Sequence, residues 1–555
     1  MHRRLPLLLF LAFTAFFWVA DKGAYKGYFE DDDLDNLSLS REILLPDYLI
    51  STLTPRVFDN NFRPVGLFFY RMMAEAAGLN FTPYIAMLTV LHLANLILLW
   101  LILRRMGVGE WATAAGCLFW GFHMASFDVF WKPMYVFDLL CGLFCLLSLL
   151  AYMNGRWILS LLALCLAYRS KEVAVMLPAV LAAYELLIGE RRWKRLIPFF
   201  AFSLLMGLQA LTINQKPDSA YTLHFDPISI WTCIQFYAAR VFLLPFAGFA
   251  ICLAVLSRDR RVWFGVLGFC LLLVPMLVLP GRLFSPYLYV PLMALGIAVA
   301  ALADKRGIAA FAAVLVLWVP WNYLNLRWQR NAALADADPR RAVVHRLIEF
   351  SRKNPDVHNF IGTSGPINYY GLHGALKLTH PLSTPIEFSM ADTPEATEAL
   401  KKSPVALLNW DRKKRDLGIV LKRHDTPDTP YIRMGMDTPL WQLGEGWYEA
   451  DMGFRWTKSS DATARLRRPE GASRFELVVN VGDEYIQTLK KSRVTVSLNS
   501  TIAGAADFTE PGYHTAHWDI PPSSAGPVSV TIHTQPEFRG GRSLGIAVVS
   551  FGFLP

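Results

Sequence analysis

Eleven apolar segments, each long enough or nearly long enough to cross a bilayer, occupy the first 324 residues and constrain the fold more than any other feature. They run over residues 5–20, 82–103, 111–127, 135–153, 157–168, 173–188, 196–213, 236–256, 263–279, 287–302 and 308–324. The fifth is short, and a stretch from Ile228 reads as an interfacial helix leading into the eighth. A hydrocarbon interior offers no water to backbone groups, so helices are expected throughout. Charge is sparse here: 46 of the first 324 residues are Lys, Arg, Asp or Glu, against 53 of the remaining 231. That contrast excludes a disordered chain and a purely water-soluble enzyme, and it separates an oily part from one with soluble composition.

The net charge of +9 does not point to nucleic acid, because the excess lies in short clusters between apolar runs. These are Arg3-Arg4, Arg104-Arg105, Arg191-Arg192 with Lys194-Arg195, Arg258 with Arg260-Arg261, and Lys305-Arg306. With strict alternation across eleven spans, one orientation puts every cluster on the cytoplasmic side. The expected protein is therefore a multi-pass inner or plasma membrane protein with a cytoplasmic N-terminus and an extracytoplasmic C-terminal part. No small-residue cleavage site follows residues 5–20, and Trp18 with Asp21-Lys22 reads as the interfacial end of an uncleaved span. All seven cysteines lie between Cys117 and Cys270 at no metal-ligand spacing, and read as small apolar core residues.

Beyond Leu324 the periodicity changes. Residues 335–353 read as an amphipathic helix, 357–363 and 405–409 as short buried strands, and 395–402 as a helix between them. From about Pro439, alternating segments at 475–479, 493–498, 528–533 and 545–549 are separated by turns rich in Gly, Pro and Asp. The expected architecture is an α-helical polytopic membrane domain of about eleven helices (1–324), a small α/β unit (325–438) and a C-terminal β-sandwich, jelly-roll-like (439–555).

Polar groups recur at the outward ends of the apolar segments. Glu30-Asp31-Asp32-Asp33, with Asp35, follows the first span; such a run repels itself and persists where water, cations or function offsets the cost. It reads either as a solvated loop or as a general base with a neighbour that orients it. His123 and Asp128 bracket the end of the third span, followed by Trp131 and Lys132. Arg169-Ser170-Lys171-Glu172 interrupts a long apolar stretch, where each charge is costly. Arg282 precedes Tyr287 and Tyr289 at the start of the tenth span. Each has a plain structural reading: His123 caps a helix, Trp131 joins the interfacial aromatic belt, Arg282 snorkels. Taken together they bring carboxylates, cations and an imidazole to one face, which favours a site.

Three passages carry a resemblance: Phe29-Glu30-Asp31-Asp32-Asp33-Leu34, continuing through Phe62-Arg63-Pro64-Val65 to Leu91-His92-Leu93-Ala94-Asn95; His123 to Asp128, with Asp138 ten residues on; and Ser170-Lys171-Glu172 followed by Pro178. Arg282 through Tyr287-Leu288-Tyr289-Val290-Pro291 adds a fourth. In these the chain resembles the GT-C superfamily of polytopic glycosyltransferases, nearest to the tetratricopeptide-bearing mannosyltransferases and their bacterial relatives, over roughly residues 1–302. It departs from the family pattern at Asp128 (usually Glu), Met124 (usually Pro) and Ser285-Pro286 (usually Glu-Arg), and no tetratricopeptide repeats follow. The segments Gly446-Trp447-Tyr448, Phe454-Arg455-Trp456 and Arg542 to Ile546 resemble β-sandwich modules of bacterial surface-polysaccharide enzymes.

The resemblance implies inverting transfer of a sugar from a polyprenyl-phosphate donor to an extracytoplasmic lipid, glycan or protein acceptor. It implies Asp32, then Asp33, then Asp31 as catalytic base, and Lys171, Arg169, Arg282 and Arg63 as ligands of the donor phosphate. Glu172, His123, Asp128, Tyr287 and Tyr289 support them, with Glu172 expected to pair with Lys171. No cofactor is required; the acidic cluster permits a divalent cation without demanding one. The partners are the lipid-linked donor, the acceptor and the bilayer, and not nucleic acid. Trp441, Trp447, Trp456 and Trp518 are either sugar-stacking surfaces or sandwich core. A transporter or flippase, and a ligase of whole glycans, are the alternatives to single-sugar transfer.

Overall fold

The computed structural model describes residues 5–54, 63–213, 220–363, 365–391, 393–411, 413–451, 453–458, 461–539 and 543–554; Arg3, Arg4, Phe62 and Arg542 lie outside them. The chain forms two compact units, Met1–Asp338 and Pro339–Pro555. The first extends past residue 324 because the helix begun at Val319 continues without a break.

The first unit is helical: α1 (Leu5–Asp21), α2 (Asp31–Glu42), α3 (Leu45–Leu53), α4 (Pro64–Ala77), α5 (Phe81–Arg105), α6 (Glu110–Gly121), α7 (Phe127–Trp131), α8 (Val136–Met153), α9 (Trp157–Ser170), α10 (Leu177–Leu187), α11 (Ile197–Ile213), α12 (Pro227–Val241), α13 (Arg260–Leu277), α14 (Tyr289–Ala303), α15 (Ile308–Ala313) and α16 (Val319–Lys353). Among the described residues, six helical stretches are long and apolar enough to cross a membrane: Leu5–Lys26, Phe81–Arg105, Pro133–Met153, Arg260–Leu277, Ser285–Ala303 and Ile308–Lys353. Trp157–Ser170 and Ala247–Leu256 are shorter apolar helices.

Several expected segments are broken, each for a local reason. The third ends as α6 at Gly121, and His123 then caps a 3-10 turn at Met124–Ser126. The sixth opens as a 3-10 turn, Glu172–Met176, before α10. Instead of one helix over 236–256, α12 stops at Val241 and a 3-10 helix occupies Ala247–Leu256. Pro245 lies between them. It has no N–H to donate and bars its predecessor from helical geometry, and Leu243 and Phe246 take positive φ values of 56° and 60°.

Small residues let the helices approach closely. A Cβ placed on Gly265 of α13 would stand 2.5 Å from the Ala298 nitrogen and 2.7 Å from the Ala294 oxygen of α14. One on Gly116 of α6 would stand 2.5 Å from the Gly296 oxygen. Where lipid is as apolar as leucine, such backbone contact is what holds helices together.

The two ends of α5 mark the poles of the unit. At its start Phe81 packs on Phe29, just ahead of the acidic run, with ring centroids 5.1 Å apart. Its 25 residues reach about 37 Å to Arg104-Arg105. There basic loops meet: Asp304 accepts from Gly109 N at 2.8 Å and pairs with Arg261 at 2.9 Å.

In the second unit, β1 (Asn359–Gly362), β2 (Glu387–Met390), β3 (Val405–Asp411) and β4 (Asp416–Lys422) form a sheet of order β2-β1-β3-β4, with β1 parallel to β2 and β3. Helices Tyr369–Leu378 and Pro394–Ala399 make the crossovers. Two antiparallel sheets follow, one of order Thr501–Phe508, Ser492–Leu498, Gly526–Gln535, Asp461–Arg468, and one centred on Arg474–Val481 and Ala547–Leu554. Inward residues of both, among them Val494, Val496, Val530, Leu477, Val479 and Phe551, share one core. Trp447 belongs to it, stacked on Phe551 at 5.8 Å with its indole N–H donating to Thr463 O; Trp456 and Trp518 pack against it, and Trp441 packs on the smaller core around β1 and β3. Trp447 fills the interior, and the other three indoles are half-buried at the core margins.

Gly265→Leu is expected to force α13 and α14 apart and cost about 1–3 kcal/mol or more, read as a lower melting temperature in detergent. Gly207→Ala serves as the control, since its added carbon meets only Val175 at an ordinary 3.5 Å. Equal melting temperatures for the two variants would contradict the close crossing.

Candidate active site

The acidic run is the start of a helix. Asp31, Asp32 and Asp33 form the first turn of α2, where the exposed N–H groups and helix dipole favour negative charge. Asp33 turns inward and is fully buried, accepting from Glu30 N at 2.8 Å and from the Tyr70 hydroxyl at 2.7 Å. Burial pushes its carboxyl up to about 7, against the pull of those two donors. Asp32, one residue earlier, is exposed and accepts no hydrogen bond among the described residues. Partial desolvation by its surroundings raises its carboxyl too, opposed most strongly by the charge of Arg282 and then by Arg63, while Glu30 adds to the rise. Asp31 is half-buried.

Two ion pairs link the surrounding elements, and they differ from the expected pairing of Lys171 with Glu172. Glu172 instead takes Arg63, the residue preceding α4, in a bidentate pair with both contacts at 2.9 Å. Burial alone would raise the Glu172 carboxyl, but Arg63 outweighs it and holds it below the usual range. Lys171 takes Asp138 of α8 at 2.6 and 2.5 Å, almost wholly out of solvent. The reason is local: the chain is extended at Lys171 and begins a 3-10 turn at Glu172, so the neighbouring side chains take separate partners. Lys171 Nζ also lies 4.3 Å from the Tyr287 ring centroid. A third group joins Lys132 to Glu30 at 3.2 Å and to Asp128 at 3.1 Å.

Arg282 completes the cluster. Its Nη2 donates to the Tyr287 hydroxyl at 3.0 Å, and its guanidinium carbon lies 4.6 Å from the Tyr221 ring and 4.7 Å from that of Phe284.

Other expected site residues have structural partners. Arg169 is 1% exposed and donates to the carbonyls of Thr52 and Thr54, so it caps the C-terminal end of α3. His123 is buried: its Nδ1 accepts from Ala125 N at 3.2 Å, which leaves Nε2–H to donate to Val241 O at 2.8 Å. Tyr289 is buried with His92 and Asn95, each 3.0 Å from its hydroxyl. Among the described residues no group of three or more His, Cys, Asp or Glu side chains is arranged to hold a metal ion. Sequence reasoning missed Asp138 as the partner of Lys171, although a lone acid in an apolar run needs a cation; it also missed the Glu30–Lys132 link and Tyr70.

No protein-family model matches the chain, and no curated protein matches it in sequence. Solved structures do. The crystal structure of ArnT from Cupriavidus metallidurans bound to undecaprenyl phosphate matches with a TM-score of 0.47 and 15% identity, over 72% of this chain and 92% of that one. In its apo state the figures are 0.44 and 15%, over 74% and 93%. The cryo-EM structure of the arabinofuranosyltransferase AftD from Mycobacteria matches all of this chain with a TM-score of 0.43 and 11% identity, and this chain spans 58% of that chain.

Asp33 gives a signed pH prediction. Its folded pKa of about 7 lies above the ordinary value of 3.8, so the folded state binds the proton more tightly. This contribution to stability is complete below about pH 4 and is lost as pH rises through about 7. Melting temperature in detergent is expected to fall between about pH 5 and 8, and to fall less in Asp33→Asn, which cannot titrate. An equally steep fall in the variant would contradict the assignment.

Proposed function

We propose that the chain is an integral-membrane glycosyltransferase that moves a sugar from a polyprenyl-phosphate donor to a hydroxyl of an extracytoplasmic lipid, glycan or protein, with inversion. The observation that carries this reading is an exposed carboxylate that accepts no hydrogen bond among the described residues, Asp32, within electrostatic reach of the Arg282 guanidinium, in a helical unit of membrane-spanning character. A base and an anion site facing one another are what direct displacement of a phosphate requires. Asp32 takes the proton of the acceptor hydroxyl as its oxygen attacks the anomeric carbon, and the bond to the phosphate oxygen breaks on the opposite face. The departing phosphate gains charge rather than needing a proton, and Arg282 stabilises that charge. A glycosidase, by contrast, needs a second carboxyl to protonate its leaving group.

The other charges support this division of labour. Arg63 and Lys171 already have carboxylate partners, so they neutralise the surroundings instead of competing for the phosphate. Asp33 anchors the turn that presents Asp32, with Asp31 beside it. Basic loops meet at the pole opposite the acidic run, which supports a site on the non-cytoplasmic face. The shorter apolar helices complete the membrane domain, and the two sheets with a common core form a sandwich.

The test supplies membranes containing the protein with radiolabelled polyprenyl-phosphate sugars and identifies the labelled product. Asp32→Asn is expected to lower transfer by about 10²–10⁴-fold at unchanged abundance, as loss of a general base does. The acid limb of the wild-type pH–rate profile should lie above the ordinary carboxylate range, because the base must be ionised and its carboxyl is raised. Transfer by Asp32→Asn at the wild-type rate would overturn the proposal.

A further inference from the structure

The buried Lys171–Asp138 pair has no step to perform in the reaction above. Lys171 is 6% exposed and Asp138 2%, and both carboxylate oxygens contact Nζ. An ammonium has three N–H groups, and with two directed at Asp138 little remains for a further anion. What the lysine does meet is a ring: its charge lies 4.3 Å from the centroid of Tyr287, in a dry setting where a cation holds an aromatic face firmly. The ring fixes the hydroxyl, and the hydroxyl accepts from Arg282 Nη2 at 3.0 Å. Arg282 has no carboxylate ion pair among the described residues and its Nε is buried without a hydrogen-bond partner, so beside the Tyr221 and Phe284 rings the Tyr287 hydroxyl is what its N–H groups meet.

The geometry points to Tyr287 as a positioning residue that aims Arg282 at the phosphate of the lipid-linked donor, with the buried Lys171–Asp138 pair as its footing. This rests on the function proposed above and adds one role to it: Lys171, already paired with Asp138, also acts on Arg282 through Tyr287. A lysine that bound the phosphate directly would add its effect to that of Arg282. A lysine that works through Tyr287 loses its influence once the tyrosine hydroxyl is gone.

The experiment is a mutant cycle on the full-length protein in detergent, reading the Kd for undecaprenyl phosphate together with kcat and KM for the donor. Tyr287→Phe keeps the ring over Lys171 and deletes only the hydroxyl; Kd and KM are expected to rise about tenfold, and kcat to fall as well, because the misdirected guanidinium also stabilises the departing phosphate. Lys171→Met with Asp138→Leu removes both charges, leaving neither buried alone, and is expected to raise Kd by a similar factor. Added to Tyr287→Phe, it should raise Kd by less than about twofold more, because both changes break one chain of contacts. A wild-type Kd in Tyr287→Phe would overturn the inference, and so would multiplied losses of about a hundredfold in the triple variant, which would place Lys171 on the phosphate. Should the charge-free variants fail to fold, Tyr287→Phe alone remains decisive. Failure of the functional reading has a different signature: wild-type protein that neither binds the lipid phosphate nor transfers sugar.

Discussion

A charge removed from water must be matched, and that requirement organises the polar end of the helical unit. Lys171 with Asp138 ties the junction of α9 and α10 to α8, and Arg63 with Glu172 ties α4 to the same junction. Removing one member of the buried Lys171–Asp138 pair strands the other, at about 3–5 kcal/mol, whereas replacing both costs far less. The pairs therefore fix geometry more than they add stability. What they fix is how α4, α8 and the α9–α10 junction meet, near an Asp32 whose carboxyl feels the charges of Arg282 and Arg63.

The same economy explains the acidic run. Four adjacent carboxylates in a loop would be hard to account for. At the first turn of α2 they meet exposed N–H groups, and Asp33 accepts the backbone N–H of Glu30. One member stabilises the turn from inside while its neighbour is carried outside it. Side chains at successive helix positions diverge by about 100°, so adjacent aspartates are suited to different work.

Much of the fold was legible because it follows from periodicity and composition. Long apolar runs became helices, alternating runs became strands, and the composition change near Leu324 lies close to the boundary of the two units. Less was legible where a single residue overrides its surroundings, as Pro245 does in a stretch otherwise apolar enough to continue as a helix. The strands Thr501–Phe508 and Gly512–Asp519 went unread because they lie at sheet edges and bury little: along the second, Gly512 and His514 face inward while Tyr513 faces out, so the apolar contrast is weak. At the site, the residue types were readable and their partners were not. Arg63 and Glu172 lie 109 positions apart, and nothing local to either announces the other. Arg169 shows the limit well: an arginine amid apolar residues suggests an anion, yet its ligands are main-chain carbonyls of a short helix.

The crossing of α13 and α14 has a mechanical consequence. Gly265 meets main-chain atoms of the facing helix, with no flexible side chain between them to yield. Two helices joined in this way slide or tilt only together, as one stiff keel. The chain bends instead beside Pro245, where α12 stops at Val241 and Leu243 and Phe246 take positive φ values.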